Sequence, residues 1–466
     1  MALAGDAGGL SGCHLAAEVD VSGVRAGDHW RGRRRLAGAI GAGMCVACIF
    51  LGGGAAVANP ATTVAYAAGA SATMFSGAAF DTCTAPPLSA MSAWLASPYR
   101  AVGVYVGGVN RSCAQPELTA SWVSAVSELG WRLLPVYKGL QAPCGGKPTD
   151  VKIDPAKAAA QGTTAANDAV AAARGLGMVS GSALYDDMET YATGDAACRL
   201  AVLKFLSGWT AQVHKLGYVA GVYAQLASGA TDLAGVYASG SYARPDALWI
   251  ARYDGDSALT GWAGVPDTDW TVRQRAKQYR NGHNETYGGV TINIDNDQVD
   301  APVATVPHQY TVTSATPLNA RTGPAASYPV VKSYPPGAGL AVVCQAAGGK
   351  VGTTTVWDKL ADGSYVTDYY VSTPSKTGYS APLPRCAYPY QVTAAGGLHE
   401  RAGPGLGYRA VRLLRNGALA WVACQANGSK IGKSRVWDRL VGGAWVTDAH
   451  VASPGVTGFS KPVPRC

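Results

Sequence analysis

The chain has 466 residues and a formal net charge of +8, with only 5 Phe against 23 Tyr, 12 Trp and 59 Gly. That length admits two or three domains with real cores. The positive surplus is modest and forms no dense Lys/Arg run interleaved with aromatics, so no nucleic-acid partner is expected.

The first element reads as an export signal. Arg31, Arg33, Arg34 and Arg35 precede an uncharged run from Leu36 to Val57, followed by the small-residue sites Ala56-Val57-Ala58 and Ala65-Tyr66-Ala67. A charged n-region, an apolar h-region and an A-x-A site define a secretory signal. Residues 1–67 are therefore expected to be a signal peptide with an N-terminal extension, its long polar start fitting a mis-chosen start codon. The alternative is an uncleaved anchor, since the run is just long enough to span a bilayer. Its Gly and Ala content favours cleavage, after which no stable membrane span remains.

Cleavage would remove Cys13, Cys45 and Cys48, leaving Cys83, Cys113, Cys144, Cys198, Cys344, Cys386, Cys424 and Cys466. An even number in an exported chain suggests disulfides. No CxxC pair and no His at ligand spacing accompany them, so no metal site is expected, and nothing in the chain calls for a cofactor.

From Ala78 to Val299 strand and helix patterns alternate. The strand candidates are Ala78–Thr82, Val102–Gly107, Leu133–Tyr137, Ala183–Glu189, Val219–Ala224, Leu248–Tyr253, Arg275–Tyr279 and Thr291–Asp295. Helical spacing runs through Leu118–Leu129, Pro155–Leu176 and Ala196–Leu216, with Asp154-Pro155 as a helix start and Gly130, Gly177 and Gly217 as stops. Eight strands with mostly helical crossovers predict an α/β fold, a (β/α)8 TIM-like barrel over residues 74–300 whose last helices are degenerate.

In such a barrel the site lies at the C-terminal strand ends. Those ends carry Asp81, Tyr105, Tyr137, Asp187, Glu189, Tyr223, Tyr253, Gln278, Tyr279, Asp295 and Asp297. Strand alternation puts Tyr185, Asp187 and Glu189 on one face, and Leu184, Asp186 and Met188 on the other. Paired acids raise each other's pKa and cost stability, so a fold seldom needs them. Glycoside hydrolysis does need an acid and a second carboxylate, and tyrosine faces can stack on sugar rings. Each tyrosine could instead be packing in a barrel layer. Asp81 could anchor the loop beside Cys83, and Asp295 and Asp297 could close Asx-turns.

Residues 301–309 read as a short linker that lets its two sides move. Beyond it Tyr310–Cys386 matches Tyr390–Cys466 without gaps at a constant offset (424 − 344 = 80; 466 − 386 = 80). Shared landmarks are Arg321/Arg401, Gly323-Pro324/Gly403-Pro404, Cys344-Gln345/Cys424-Gln425, Trp357-Asp358/Trp437-Asp438 and Thr367-Asp368/Thr447-Asp448. Such a duplication is not chance. Short alternating segments between Gly and Pro turns predict two small all-β barrels, 310–386 and 390–466, each closed by its own disulfide, Cys344–Cys386 and Cys424–Cys466. Trp357 and Trp437 read as core, each preceding a buried β run.

The repeats resemble bacterial SH3-like modules, in which an N-x-R-x-G-P segment precedes the barrel strands. The first copy has Asn319-Ala320-Arg321-Thr322-Gly323-Pro324; the second, His399-Glu400-Arg401-Ala402-Gly403-Pro404, departs at the Asn position. In exported bacterial proteins such modules commonly bind cell wall.

The middle region resembles a secreted actinobacterial family known as glycoside hydrolase-like. The matching pieces are Phe80-Asp81-Thr82-Cys83, Val104-Tyr105-Val106-Gly107-Gly108, Trp131–Tyr137, Tyr185–Glu189 and Gly221-Val222-Tyr223. That family is in turn similar to family 25 lysozymes, which carry an acid on the first strand, D-x-E on a middle strand and an acid on the last. By this resemblance Glu189 is the general acid, Asp187 stabilises the transition state or orients an N-acetyl group, and Asp81 and Asp295 tune charge and hold water. Tyr105, Tyr137, Tyr223, Tyr253, Gln278 and Asp297 would bind substrate. The four barrel cysteines allow three pairings; Cys83–Cys113 with Cys144–Cys198 would tie strand-end loops over the site.

The expectation is a secreted or wall-associated monomer whose barrel cuts peptidoglycan while its C-terminal modules hold the wall, raising effective substrate concentration. The rival is a silent barrel that binds glycan or another envelope polymer without turnover. A structural envelope protein docking a protein partner ranks last, because no large apolar stripe marks an interface.

Overall fold

The structure is a computed structural model that describes residues 71–466 apart from Val456. The signal reading of residues 1–67, with Cys13, Cys45 and Cys48, lies outside the described residues.

Eight strands close into a barrel in chain order. They are β1 (Thr73–Asp81), β2 (Ala101–Gly107), β3 (Arg132–Tyr137), β4 (Ala183–Met188), β5 (Val219–Gln225), β6 (Ala247–Ala251), β7 (Arg275–Tyr287) and β8 (Val290–Val303). All eight sequence candidates are strands, with β1, β7 and β8 longer than expected. The strict (β/α)8 alternation ends before the last strand. β1 to β7 pair in parallel, but β8 runs antiparallel to both β7 and β1. Only Gly288 and Gly289 separate β7 from β8, both at positive φ (57° and 79°). Two left-handed residues make a tight hairpin, and a parallel return would need a crossover of roughly a dozen residues.

Helices α1 (Leu88–Ala93), α2 (Ala120–Glu128), α3 (Ala158–Gly175), α4 (Ala196–Lys215) and α5 (Thr231–Gly235) wrap the outside. The Thr119 hydroxyl caps α2 by accepting from Trp122 N, and Asp195 caps α4. The expected start of α3 at Pro155 is three residues early. Asp154 Oδ1 accepts from Ala156 N and closes a local turn instead, a habit of Asp that competes with helix.

Strand alternation divides the core. Phe80, Val102, Leu133, Leu184 and Met188 face the helices, joined by Trp94, Trp131 and Trp209. Ala79, Leu134, Tyr185, Tyr223, Trp249 and Val299 fill the barrel interior.

The repeats form two six-stranded all-β sheets. The first comprises β9 (His308–Thr311), β10 (Leu318–Arg321), β11 (Val330–Tyr334), β12 (Gly339–Val351), β13 (Thr354–Leu360) and β14 (Tyr365–Thr367); the second β15 (Tyr388–Gln391), β16 (Leu398–Arg401), β17 (Ala410–Leu414), β18 (Leu419–Ile431), β19 (Ser434–Leu440) and β20 (Trp445–Thr447). Strand orders β9-β12-β13-β14-β10-β11 and β15-β18-β19-β20-β16-β17 trace the same path. The shared landmarks build one buried polar node per repeat. Gln345 Nε2 donates to Asp358 Oδ1 (2.8 Å) and Asp368 Oδ1 (3.0 Å); Gln425 does the same to Asp438 (2.7 Å) and Asp448 (3.0 Å). Burial, then the neighbouring acid, pushes Asp358 and Asp438 well above the usual carboxyl range. Trp357 and Trp437 are buried core residues as expected.

Residues 301–309, expected to be linker, are strand as far as Val303 and again from His308, and between them Ala304 N donates to Leu133 O (2.8 Å). The expected freedom of movement is replaced by packing. Ala387, just before the second repeat, and Leu419 and Trp421 within it sit in the interior core of the barrel. Arg132 donates to Pro382 O (2.5 Å), Arg415 pairs with Asp269 (3.0 Å), Arg244 donates to Gly417 O, and Ala72 pairs with Ala387. These barrel residues lie at or before the starts of β1, β3, β6 and β7, so the repeats close the floor of the barrel, opposite the strand ends.

All eight described cysteines are paired: Cys83–Cys113, Cys144–Cys198, Cys344–Cys386 and Cys424–Cys466. Among the described residues no helix is long and apolar enough to cross a membrane.

Candidate active site

Above the plugged floor, Trp249 forms the layer beneath the acids. Its ring meets Tyr185 and Tyr223 edge-on at 5.7 and 5.4 Å. Its Nε1 donates to Asp297 Oδ1 (2.9 Å). Asp297 is fully buried, and burial followed by the Asp81 charge pushes its pKa far up. It is therefore an acid of the lower layer, one step below the mouth: Asp297 pairs with Ala79 in register, whereas Asp295 pairs with Asp81.

Asp81 ends β1 and Asp295 faces it across the β1–β8 ladder. Gln278 of β7 joins them, its Nε2 donating to Asp81 Oδ2 (2.5 Å) and Asp295 Oδ2 (3.2 Å). The Gln278 Oε1 accepts from the Tyr223 hydroxyl (2.8 Å), which fixes the amide orientation. Gly282 N donates to Asp295 Oδ1 (2.5 Å). Burial, then Asp295, raises Asp81 to about 7. Burial also raises Asp295. Space for Asp81 depends on Gly103 of β2, where a Cβ would stand 2.5 Å from Asp81 Cβ and 3.1 Å from Trp249.

Asp187 and Glu189 leave the end of β4. Asp187 is 1% exposed, and burial followed by Glu189 raises it to about 7. The Glu189 side chain is 33% exposed. Between them lies a residue the strand-end reading missed, Lys138. Its ammonium donates to Glu189 and stands 3.4 Å from Asp187 Oδ2. Burial opposes the Lys138 charge, but Asp187 and Glu189 outweigh it and its pKa is raised. Gln141, also missed, pins the backbone here: its Nε2 donates to Asp187 O (2.7 Å) and its Oε1 accepts from Glu189 N (2.9 Å). The alternation rule could have found Lys138, since Val136 faces inward and the next inward position is two residues on.

Tyr105 feels all four upper acids: burial raises its pKa first, followed by Asp81, Asp187, Glu189 and Asp295. Tyr253, 46% exposed, sits at the rim with its hydroxyl 3.5 Å from that of Tyr223. Tyr137 is not among them. Its hydroxyl donates to Asp168 of α3 (2.7 Å) and its ring stacks on Trp209 (5.7 Å), on the helix side of β3. The expected sugar contact at Tyr137 thus gives way to packing, because it sits one residue out of phase with the inward Val136. Asp186 lies on that same outer side; among the described residues its buried oxygens have no hydrogen-bond partner, and burial, then the neighbouring Asp187, pushes its pKa well above the ordinary carboxyl value. Cys83–Cys113 and Cys144–Cys198 anchor segments that follow β1, β2 and β3. Among the described residues no group of His, Cys, Asp and Glu is arranged to hold a metal ion.

Residues 92–299 match the Rv2525c-like, glycoside hydrolase-like domain family. The chain thus carries a glycoside hydrolase-like domain, and the match runs from the end of α1 into β8, with β1 lying before it. Two curated proteins of Bacillus subtilis (strain 168) are also similar. YraJ, uncharacterized, is 36% identical over 74 residues, 13% of this chain and 63% of YraJ, so the chain spans less than two thirds of that relative. YraI, also uncharacterized, is 33% identical over 90 residues, 17% of this chain and 76% of YraI, and the chain belongs to the same family as YraI. Among solved structures, the catalytic domain of endolysin ply40 from bacteriophage P40 of Listeria monocytogenes is similar over 48% of this chain and 93% of that one, at 13% identity and a TM-score of 0.32.

Proposed function

We propose that this is an exported, muramidase-like hydrolase of cell-wall glycan, a modified TIM-type barrel with two SH3-like wall-binding modules. One observation carries the reading. Asp81, Asp187, Glu189 and Asp295 converge at one mouth, and two of them, Asp81 and Asp187, are raised to about 7. Hydrolysis of a glycosidic bond requires one carboxyl that still holds its proton and one that does not.

The roles follow the environment rather than the order in the D-x-E segment. Asp187 is the buried carboxyl and holds the proton near neutral pH. Glu189 is the exposed partner and already carries the Lys138 ammonium. In the proposed mechanism a bound sugar displaces the Lys138 side chain, which opens Asp187 to the glycosidic oxygen. Glu189 then faces the developing positive charge of the sugar. Asp81, Gln278 and Asp295 hold water and substrate hydroxyls, and Tyr105 and Tyr253 meet the ring. This exchanges the parts that the resemblance assigned to Glu189 and Asp187.

The rival, a silent glycan-binding barrel, draws support from the same lysine, which covers Asp187 and pairs with Glu189. The test is release of new reducing ends from purified peptidoglycan by the secreted chain, by Asp187→Asn and by Glu189→Gln. Release by the parent and its loss in both variants is the expected result. A parent that sediments with the wall yet releases nothing ends the hydrolase reading and leaves the binder.

A further inference from the structure

A cleft of about 510 Å³ opens between the two repeats. On one side stands Tyr328 of the first repeat. Its ring lies flat on Gly323, where any Cβ would be 2.4–2.7 Å from ring atoms, and Arg321 holds its carbonyl (2.8 Å). The landmark Arg-x-Gly-Pro segment therefore presents this ring in one fixed pose. The floor is backbone. A Cβ at Gly348 would meet Pro324 O at 1.9 Å, and Gly349 is fixed by Gly349 N→Pro324 O (2.9 Å) and Trp357 Nε1→Gly349 O (2.8 Å).

The opposite wall is the C-terminal strip of the second repeat, which contributes Lys461, Pro464 and Arg465. The strip is tacked down by Gln425 N→Pro464 O (2.8 Å) and by the Cys424–Cys466 bridge. Lys461 Nζ stands 5.6 Å from the Tyr328 ring centre, and Arg465 lies over Phe459 at 4.0 Å. No carboxylate lines the cleft, and among the described residues neither cation has an ion-pair partner in hand.

The duplication supplies an internal control. The position of Lys461 is Ala381 in the first repeat (461 − 80 = 381), where the strip rests on the barrel through Arg132→Pro382 O. The extra cation therefore occurs in the copy whose strip faces a cleft and not in the copy whose strip faces protein.

We infer that this inter-repeat cleft binds a short peptide bearing a free carboxylate, of the kind found in the stem peptides of a bacterial wall. The inference rests on the wall-binding reading of the repeats. Two unpaired cations select an anionic group. The faces of Tyr328, Pro324 and Pro464 suit small aliphatic side chains beside it, which a polyol phosphate lacks. Inter-domain clefts of this volume are usual ligand sites.

The test is calorimetric titration of the whole exported chain with three probes: a synthetic wall stem peptide with a free C-terminal carboxylate, the same peptide as its amide, and a glycerol phosphate oligomer. Lys461→Ala recreates the residue that the first repeat already tolerates, so its fold is safe; Arg465→Gln is the second variant. Binding of the acid peptide, weakened about tenfold in each variant and in the amide, is the expected result, tenfold being the ordinary worth of one charge-assisted contact. Binding that is indifferent to Lys461 and Arg465, or that goes to the glycerol phosphate alone, overturns the inference. Reducing-end release from soluble glycan strands is measured alongside. It should be unchanged in Lys461→Ala, so a failed cleft and a failed hydrolase give different results.

Discussion

The Lys138 ammonium is bound to Glu189 and stands 3.4 Å from Asp187 Oδ2, so a single lysine serves two carboxyls of different burial. Asp187 is raised to about 7 in spite of that cation, because burial and Glu189 outweigh it.

Removing Lys138 takes away an influence that lowers the Asp187 pKa. Lys138→Met should move the Asp187 titration upward from about 7, read by carboxyl-carbon NMR. If the protein turns over glycan, the alkaline limb of its pH–rate profile should shift the same way. A midpoint that stays put or falls would show that Lys138 does not tune Asp187.

Asp81 and Asp187 have folded pKa values near 7, above their unfolded values near 4. A raised folded pKa gives stability that is fully present below the unfolded value and is lost as pH climbs through the folded one. The barrel should therefore melt at higher temperature at pH 5 than at pH 8. Asp81→Asn should flatten part of that slope, measured by calorimetry. An unfolding temperature that rises from pH 5 to pH 8 would contradict both raised values.

Gly103→Ala places a Cβ 2.5 Å from that of Asp81. Something in the site must move, at a cost of about 1–3 kcal/mol. The change should lower thermal stability by that amount and disturb the Asp81–Gln278 contact, visible as a shifted Gln278 amide resonance. A silent substitution would mean that the strand ends yield easily.

Trp421 is 1% exposed within the barrel interior although it belongs to the second repeat. Trp421→Ala should cost about 3–5 kcal/mol. Its effect should appear in the barrel as well as in the repeat, as loss of a single cooperative transition in calorimetry. A loss confined to the repeat would separate the two bodies.

The sequence was most legible where period and chemistry agreed. Alternation alone sent Tyr185 and Asp187 inward and Asp186 outward, as found. The landmarks Cys-Gln, Trp-Asp and Thr-Asp announced a duplication, but their meaning as a Gln–Asp–Asp node is a tertiary contact between strands far apart in sequence. Tyr137 misled because an aromatic at a strand end looks the same from either face; only its phase with Val136 distinguishes sugar from helix. Tyr287-Gly288-Gly289-Val290 carries a hairpin signal, two glycines between strand segments, that a strict (β/α)8 pattern passes over. The floor contacts of Trp421 and Leu419 left no local trace, because nothing in a repeat says which surface will meet its neighbour.

The plugged floor also changes what holding and cutting mean for this molecule. If the repeats grip the wall and the strand ends cut it, the two acts occur at opposite ends of one packed body rather than at the ends of a tether. The span between grip and cut is then set by the height of the barrel, as in a caliper, and not by the wandering of a chain. Such an enzyme would favour bonds at one distance from its anchorage, and lengthening the segment 304–307 would not widen its reach while Trp421 stays seated.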